Sequence, residues 1–345
     1  MYLIPGEVGG TEVYLRSLVE AMEGLESGHE IVVFTNRETG ALGREARALE
    51  VSAASRPARI LFEQVQLPGV LKRAGIDVVL NPGFTAPYAP GRPQVTVFHD
   101  LQHKRHPEYF RWFDLPAWNL LLGMAARRSE RLIAVSPATR DDLLKFYPFL
   151  DAGRIDVVPH GVDPAFFDLA ARREAGDFLL CPSTTHPHKN HARLLRCFAK
   201  LREKRPQIRL ILTGVKGFVH DDVARLAVTL GKAVEVRGWV ERSELLELFR
   251  TARAVVYPST FEGFGMPVAE AMAAGVPLAC SDIEPLRTLA QGAAVLFDPE
   301  SDEALLSAME QVTDGHAPAA RLAASLTWRH AAEATVESLM RAARR

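Results

Sequence analysis

The chain has 345 residues, 48% hydrophobic and 24% charged, which suits a soluble globular protein of two domains, each able to bury its own core. A formal charge of −1 leaves no basic surplus and so argues against a nucleic-acid partner. Three scattered cysteines (Cys181, Cys197, Cys280) without C-x-x-C spacing, and no H-E-x-x-H, speak against a disulfide framework and give no metal site.

The cysteines read as reduced, buried small hydrophobes, so a cytoplasmic protein is expected; no apolar run approaches the length of a membrane span, and Met1–Pro5 lacks the basic start and long apolar stretch of a secretory signal. Only Tyr2-Leu3-Ile4 precedes the first turn. Three residues are short for a first strand, so either an upstream piece lies outside this sequence or a late start is used. Gly9-Gly10 then lead into a helix over Thr11–Glu26, with Tyr14, Leu18, Met22 and Leu25 on one face.

The apolar runs Ile31–Thr35, Val78–Leu80, Val95–Phe98 and Arg131–Val135 are short, bounded by Gly, Pro, Asn or Ser, and alternate with helical segments. That is the pattern of a parallel sheet wrapped by helices. Ser136-Pro137 opens a helix to Phe146, with Ser as N-cap and Pro in the first turn. Arg37–Gln66 carries no readable pattern. Lys104–Arg131 mixes arginines with Tyr109, Phe110, Trp112, Phe113 and Trp118, and has two readings. One is peripheral contact with membrane or a lipid-linked acceptor; the other is an amphipathic helix with Trp118, Leu121, Leu122 and Ala125 in the core.

After Ile155–Pro159 and a Gly-, Pro- and Asp-rich loop the pattern restarts. Strands are expected at Phe178–Pro182, Ile208–Thr213, Val234–Val236, Ala254–Tyr257, Pro277–Cys280 and Ala294–Leu296. Helices are expected at Asn190–Glu203, Asp221–Leu230, Ser243–Thr251, Asp302–Val312 and His330–Ala343. Two doubly wound α/β halves follow, with a ligand cleft at the carboxyl ends of their strands.

Candidate chemistry gathers at those strand ends. In Phe261–Glu270, the glycines Gly263 and Gly265 and a helix-opening Pro267 offer free backbone N–H groups and a positive dipole end. Glu262 and Glu270 flank this anion site; their charge suits neutral hydroxyls, such as a sugar's, better than phosphate. An ordinary strand–loop–helix turn would look the same. Lys189, after His188 and before Asn190, can reach a phosphate at the next helix N-terminus. Thr213-Gly214 is a second strand-end turn open to close backbone approach, and Gly10 a third. His99-Asp100 end the strand Val95–Phe98, where a reacting group would be presented.

Taken together these residues resemble the retaining nucleotide-sugar glycosyltransferases of family GT4, of GT-B fold, mannosyltransferase-like members included. The most specific stretch is Phe-Glu-Gly-Phe-Gly-Met-Pro-Val-Ala-Glu, with its two acids eight positions apart. Gly-Gly-Thr-Glu at 9–12, His-Asp-Leu at 99–101, Val-Ser-Pro-Ala-Thr at 135–139, Val-Pro-His-Gly-Val-Asp at 158–163 and Lys-Asn at 189–190 follow in the family's order. The resemblance implies two Rossmann-like domains facing across a deep cleft. Residues 1–165 form the acceptor side and 166–327 the donor side, with 328–345 crossing back to the first domain.

It also implies roles. Glu270 holds the ribose hydroxyls of the donor nucleotide. Glu262, with the backbone of Gly263, Phe264 and Gly265, holds the sugar. Lys189 pairs with the diphosphate, Gly10 approaches it from the other domain, and His99 sits by the reacting carbon. Ser183 stands where the family carries an Arg, leaving His186 or His188 as its substitute.

The implied reaction moves a hexosyl, mannosyl in some relatives, from a GDP- or UDP-sugar to a glycan or lipid-linked glycan hydroxyl. Configuration is kept and no metal or other cofactor is needed. A nucleotide-sugar 2-epimerase of the same fold and a non-catalytic nucleotide-sugar-binding protein are the alternatives.

Overall fold

The computed structural model describes residues 3–5, 9–83, 85–316 and 326–344. The chain divides into two compact units, Met1–Gly161 with Leu326–Arg345, and Val162–Ser325.

The first unit holds two parallel sheets. The smaller pairs β1 (Val33–Thr35) with β2 (Ala46–Ala48); the larger runs in the order β3 (Val79–Asn81), β4 (Gln94–Phe98), β5 (Arg131–Ala134), β6 (Ile155–Val157). Every residue of β4 and β5 is buried, as expected of central parallel strands covered on both faces. Their partners run Val95↔Arg131 to Phe98↔Ala134. Two polar pairs inside this core are matched: the Asn81 amide donates to Gln94 Oε1 (3.0 Å), and the Thr96 and Ser129 hydroxyls lie 2.7 Å apart.

Ser136 caps the helix Pro137–Phe146 through Thr139 N–H (3.1 Å), the start read from Ser-Pro. The helix Leu115–Arg128 buries Leu121, Leu122 and Ala125, while Trp118 lies partly buried under the Arg56 guanidinium. Ahead of it, Trp112 is 81% exposed and Phe113 56%, so the aromatic segment splits between core and surface.

The last helix, Trp328–Ala343, packs in this unit on the helix Gly10–Glu23 and on β4 and β5. One ion-pair cluster fastens it. Arg131 holds Asp156 through two N–H donors (2.6 and 2.7 Å), and Ser338 donates to the same carboxylate at 2.7 Å. At its start, Gly161 is obligatory because a Cβ would enter the backbone of Thr327 and Trp328.

Ile31–Thr35 forms a strand only from Val33, and Leu3-Ile4 belong to no strand; Tyr2 lies outside the described residues. Arg37–Gln66 holds β2, the helix Arg56–Leu61 and a π-turn, Phe62–Gln66.

The second unit is built on one six-stranded parallel sheet. Its strands are β7 (Phe178–Pro182), β8 (Arg209–Thr213), β9 (Val234–Gly238), β10 (Ala254–Tyr257), β11 (Leu278–Ser281) and β12 (Val295–Phe297), in the order β12-β11-β10-β7-β8-β9. Leu194, Leu195, Phe198 and Leu201 share one face of the helix His191–Lys204 and bury it against Leu179, Leu212 and Val256. The helix Asp302–Thr313 adds Leu305, Met309 and Val312 to the same core.

Candidate active site

The strand order in the second unit reverses direction between β7 and β10. From β7 the chain winds outward through β8 and β9, and from β10 it winds the other way through β11 and β12. At such a point the loops leaving two neighbouring strands part, opening a crevice at the carboxyl edge of the sheet. Here those loops are Ser183–Asn190, after β7, and Pro258–Gly265, after β10.

Lys189 comes from the first loop and Glu262 from the second. The Lys189 ammonium donates to Glu262 Oε1 at 2.6 Å and to the Tyr257 hydroxyl at 2.9 Å. Both charged side chains are nearly enclosed, at 13% and 9% exposure. A buried pair holds only where further hydrogen bonds satisfy it, and Tyr257, the last residue of β10, supplies one.

The two loops are also joined through backbone. The His188 carbonyl accepts from Thr260 N–H (2.7 Å) and from the Ser259 hydroxyl (3.1 Å). Asn190, in the left-handed conformation (φ 58°), then turns the chain into its helix, and its side-chain amide donates to Pro299 O (3.1 Å).

Gly265 begins the helix Met266–Ala273 at φ 99°, where a Cβ would strike the Leu286 side chain. Glu270 lies one turn further along. Burial pushes its carboxyl up to about 7, with the charge of Asp163 adding to the effect. Asp163 is committed elsewhere: it caps the helix Pro164–Leu169 (Ala165 N–H, 2.9 Å) and accepts from Arg242 (2.7 Å). Glu270 is near enough to help push the Tyr257 hydroxyl upward, behind burial and Glu262 in effect. Lys189, Tyr257, Glu262 and Glu270 therefore form one electrostatic group.

Thr213 and Gly214, at the end of β8, brace this group from the side. The Thr213 carbonyl accepts from Ser183 N–H (2.8 Å). Gly214 (φ 132°) lies against the Ser183 backbone where a Cβ would not fit.

Ser183 itself is inward-facing, its hydroxyl 3.1 Å from His191 Nε2, and burial brings His191 down to about 4. His186 stacks on His188 (ring centroids 5.9 Å apart, planes at 10°) and is also lowered, mainly by burial and then by Lys189. At neutral pH His186 thus offers hydrogen bonds rather than positive charge. Tyr257 and His191 escaped the sequence reading. The usable signal for Tyr257 was an aromatic residue closing a buried strand directly before the Pro258 turn.

Gly10 and His99 belong to the first unit. Gly10 opens its helix with nothing within 4 Å of where a Cβ would point. The His99 ring lies 2.9 Å from the Pro82 carbonyl through Nε2, which must carry the proton, since a carbonyl only accepts. Tyr14 meets the ring edge-on at 4.6 Å and His160 lies 5.5 Å away. Burial lowers His99 to about 4, partly offset by the Pro82 bond, so it is a neutral imidazole at physiological pH.

Two family models tile this chain: "Glycosyltransferase Family 4" over residues 8–166 and "Glycosyl transferases group 1" over residues 166–325. The chain belongs to glycosyltransferase family 4.

Among relatives of this family 4 chain, O-antigen chain mannosyltransferase B of Escherichia coli is 30% identical over 239 residues, 65% of this chain and 62% of its own length. The chain spans about six tenths of the length of the curated relatives it matches. WaaG, a glycosyltransferase involved in lipopolysaccharide biosynthesis, superposes with a TM-score of 0.71 at 17% identity, covering 98% of this chain and 94% of WaaG. Anabaena HepE, solved in complex with UDP and glucose, superposes at 0.66 and 19%, with 98% and 94% covered. These likenesses establish the fold, which is GT-B.

Proposed function

We propose that the chain is a retaining hexosyltransferase, a mannosyltransferase in the first instance. It would move the sugar of a GDP- or UDP-sugar to a hydroxyl of a surface polysaccharide, lipopolysaccharide or lipid-linked glycan. The observation that carries this reading is the group Lys189–Tyr257–Glu262, with Glu270 beside it, at the strand-order reversal of the second unit. A cation and a carboxylate held together there suit a ligand that is anionic at one end and rich in hydroxyls at the other. The mannosyltransferase relatives and the UDP-bound neighbour support the same class.

In this mechanism the donor's diphosphate takes Lys189 as partner, freeing Glu262 to accept from the sugar's hydroxyls, while Glu270 accepts from the ribose. The glycosidic C–O bond to phosphate breaks as the acceptor hydroxyl attacks the same face, and the departing phosphate oxygen takes the acceptor's proton. Lys189 and the N–H groups at the start of helix Met266–Ala273 stabilise the charge that develops on the leaving diphosphate. His99, in the first unit, is assigned to the turnover step. The work is placed on the cytoplasmic side, with exposed Trp112 and Phe113 as the peripheral membrane contact. Among the described residues no helix is long and apolar enough to cross a membrane.

The test is incubation with GDP-mannose and with UDP-sugars, with and without glycan acceptors and with and without chelator. Acceptor-dependent release of nucleoside diphosphate, with an α-linked product by NMR, is the expected result. Isomerised donor without acceptor would instead make the protein a 2-epimerase. Donor binding with no turnover would leave it a binding protein.

A further inference from the structure

His99 is packed by rings that come from distant parts of the first unit. Tyr14, on the helix Gly10–Glu23, meets the imidazole edge-on (centroids 4.6 Å apart, planes at 85°), and His160 lies 5.5 Å from it. Tyr14 in turn touches both His160 (4.8 Å) and Trp328 (5.9 Å). His160 stacks on Trp328 (6.0 Å, planes at 25°), and Tyr14, His160 and Trp328 are all buried.

His160 and Trp328 stand where the chain leaves this unit and returns to it. The unit runs to Gly161 and resumes at Leu326. The two points are pressed together: a Cβ on Gly161 would fall 2.1 Å from Trp328 N. Packing rather than hydrogen bonding sets the Trp328 side chain, since among the described residues its buried indole N–H has no acceptor.

The ring contacts matter because an imidazole of this size has a second fit. A half-turn about the His99 Cβ–Cγ bond would put Cε1 where Nε2 now donates to the Pro82 carbonyl (2.9 Å), and would carry Nδ1 to the opposite side. The two settings differ in where the protonated and the bare nitrogen point. Burial, and then the nearness of His99, hold His160 well below its ordinary value, so His160 brings bulk and no charge to the imidazole. A ring wedged at right angles against His99, and itself wedged by two others, resists the half-turn by shape.

We propose that Trp328 and His160 are positioning residues for His99: through Tyr14 they hold the imidazole with Nε2–H on Pro82 and Nδ1 bare, the setting used in turnover. This rests on the role given to His99 in the proposed function. The two segments that join the units thereby bear on the side chain assigned to turnover.

The test uses the full chain carrying isotope-labelled histidine. Long-range proton–nitrogen NMR spectra near neutral pH report which nitrogen of each imidazole is protonated, and the His99 signals are those missing in His99→Gln. The native chain should show His99 in the Nε2–H form. Trp328→Leu should give a mixture of ring forms at His99 and lower kcat by about tenfold to hundredfold with donor KM little changed, as for a misplaced reacting group. Trp328→Phe, which keeps a ring in the stack, should restore both. Unchanged His99 signals in a folded Trp328→Leu overturn the proposal, and so do altered signals with kcat intact. If Trp328→Leu does not fold, Tyr14→Leu is read in the same way, with Tyr14→Phe as its native-like control, and the same two outcomes are decisive. A native chain that transfers no sugar would remove the proposed function, and the spectra would then decide the positioning by themselves.

Discussion

Lys189 and Glu262 stand 73 positions apart in the chain and 2.6 Å apart in space, with the Tyr257 hydroxyl as a third member. In the proposed reaction this pair is a resting state. The ammonium is held in place by a carboxylate that the sugar later occupies, so neither charge is left buried alone while the site waits for donor.

Lys189→Ala should lower turnover on the order of 100- to 1,000-fold, since a preorganised cation at the leaving group is lost. It also strands Glu262, at 9% exposure, without its partner. Breaking a buried pair in this way costs about 3–5 kcal/mol. Glu262→Gln leaves the Lys189 ammonium without its counter-charge but keeps a carbonyl and the Tyr257 hydroxyl for it, so it should be nearly as inactive and destabilised by less than Lys189→Ala. Parallel urea melts and acceptor-dependent diphosphate release check this; native-like stability in both variants would contradict the pairing.

Glu270→Gln should stabilise the protein and impair it at once. The folded carboxyl titrates near 7 against an ordinary value of 4.5, so between those pH values the folded chain holds a proton that the unfolded chain has lost. Stability therefore falls as pH rises from 4.5 to 7 and is level above. The variant lacks that loss and should be more stable at pH 8 by about 2 kcal/mol, less than the full conversion because the side chain keeps an opening to solvent. Donor affinity should drop in the variant, and in the native protein should rise between pH 6 and 8 as the carboxylate forms. Thermal unfolding and titration with nucleoside diphosphate at both pH values read the two effects separately.

His99 has the opposite sign. Its folded value near 4 lies below the ordinary 6.5, so its contribution to stability is complete above 6.5 and is lost as pH falls toward 4. His99→Gln should flatten that acid limb in thermal melts from pH 4 to 7. Turnover should fall with donor KM little changed; a loss confined to KM would remove His99 from the reacting end of the donor.

Two glycines separate packing from function. Gly214→Ala puts a Cβ into the Ser183 backbone at φ 132° and should cost about 1–3 kcal/mol, loosening the loop that carries Lys189. Gly10→Ala meets nothing within 4 Å and sits in a helix, so its stability should be unchanged or higher by about 0.4–1 kcal/mol. Any loss of donor affinity in Gly10→Ala then reports close approach by the ligand, measured by calorimetric titration beside the melting curves.

Most strands and helices of the second half could be read from the chain within a residue or two, because each is announced locally. Ser301 capping Ala304 N–H, or the Leu194–Leu201 stripe, needs no knowledge of the rest of the fold. Arg37–Gln66 was opaque for a physical reason. β2 is three residues with one-sided pairing, and the π-turn Phe62–Gln66 has no sequence period of its own. Ile31–Thr35 has the composition of a full strand yet closes into one only over Val33–Thr35, where β2 offers a partner.

Residue types and spacings alone determined a two-part α/β chain with Lys189, Glu262 and Glu270 in the segments that follow strand ends, and its motifs resembled those of family 4. Tertiary structure decided what those residues do to one another. Tyr257 joins Lys189, Ser183 turns inward to His191, and Glu270 is held near neutrality by its surroundings. Capping and periodicity act over a few residues and are written in order along the chain. Strand order, and the burial that sets a carboxyl's charge, depend on segments distant in sequence meeting at one edge of a sheet.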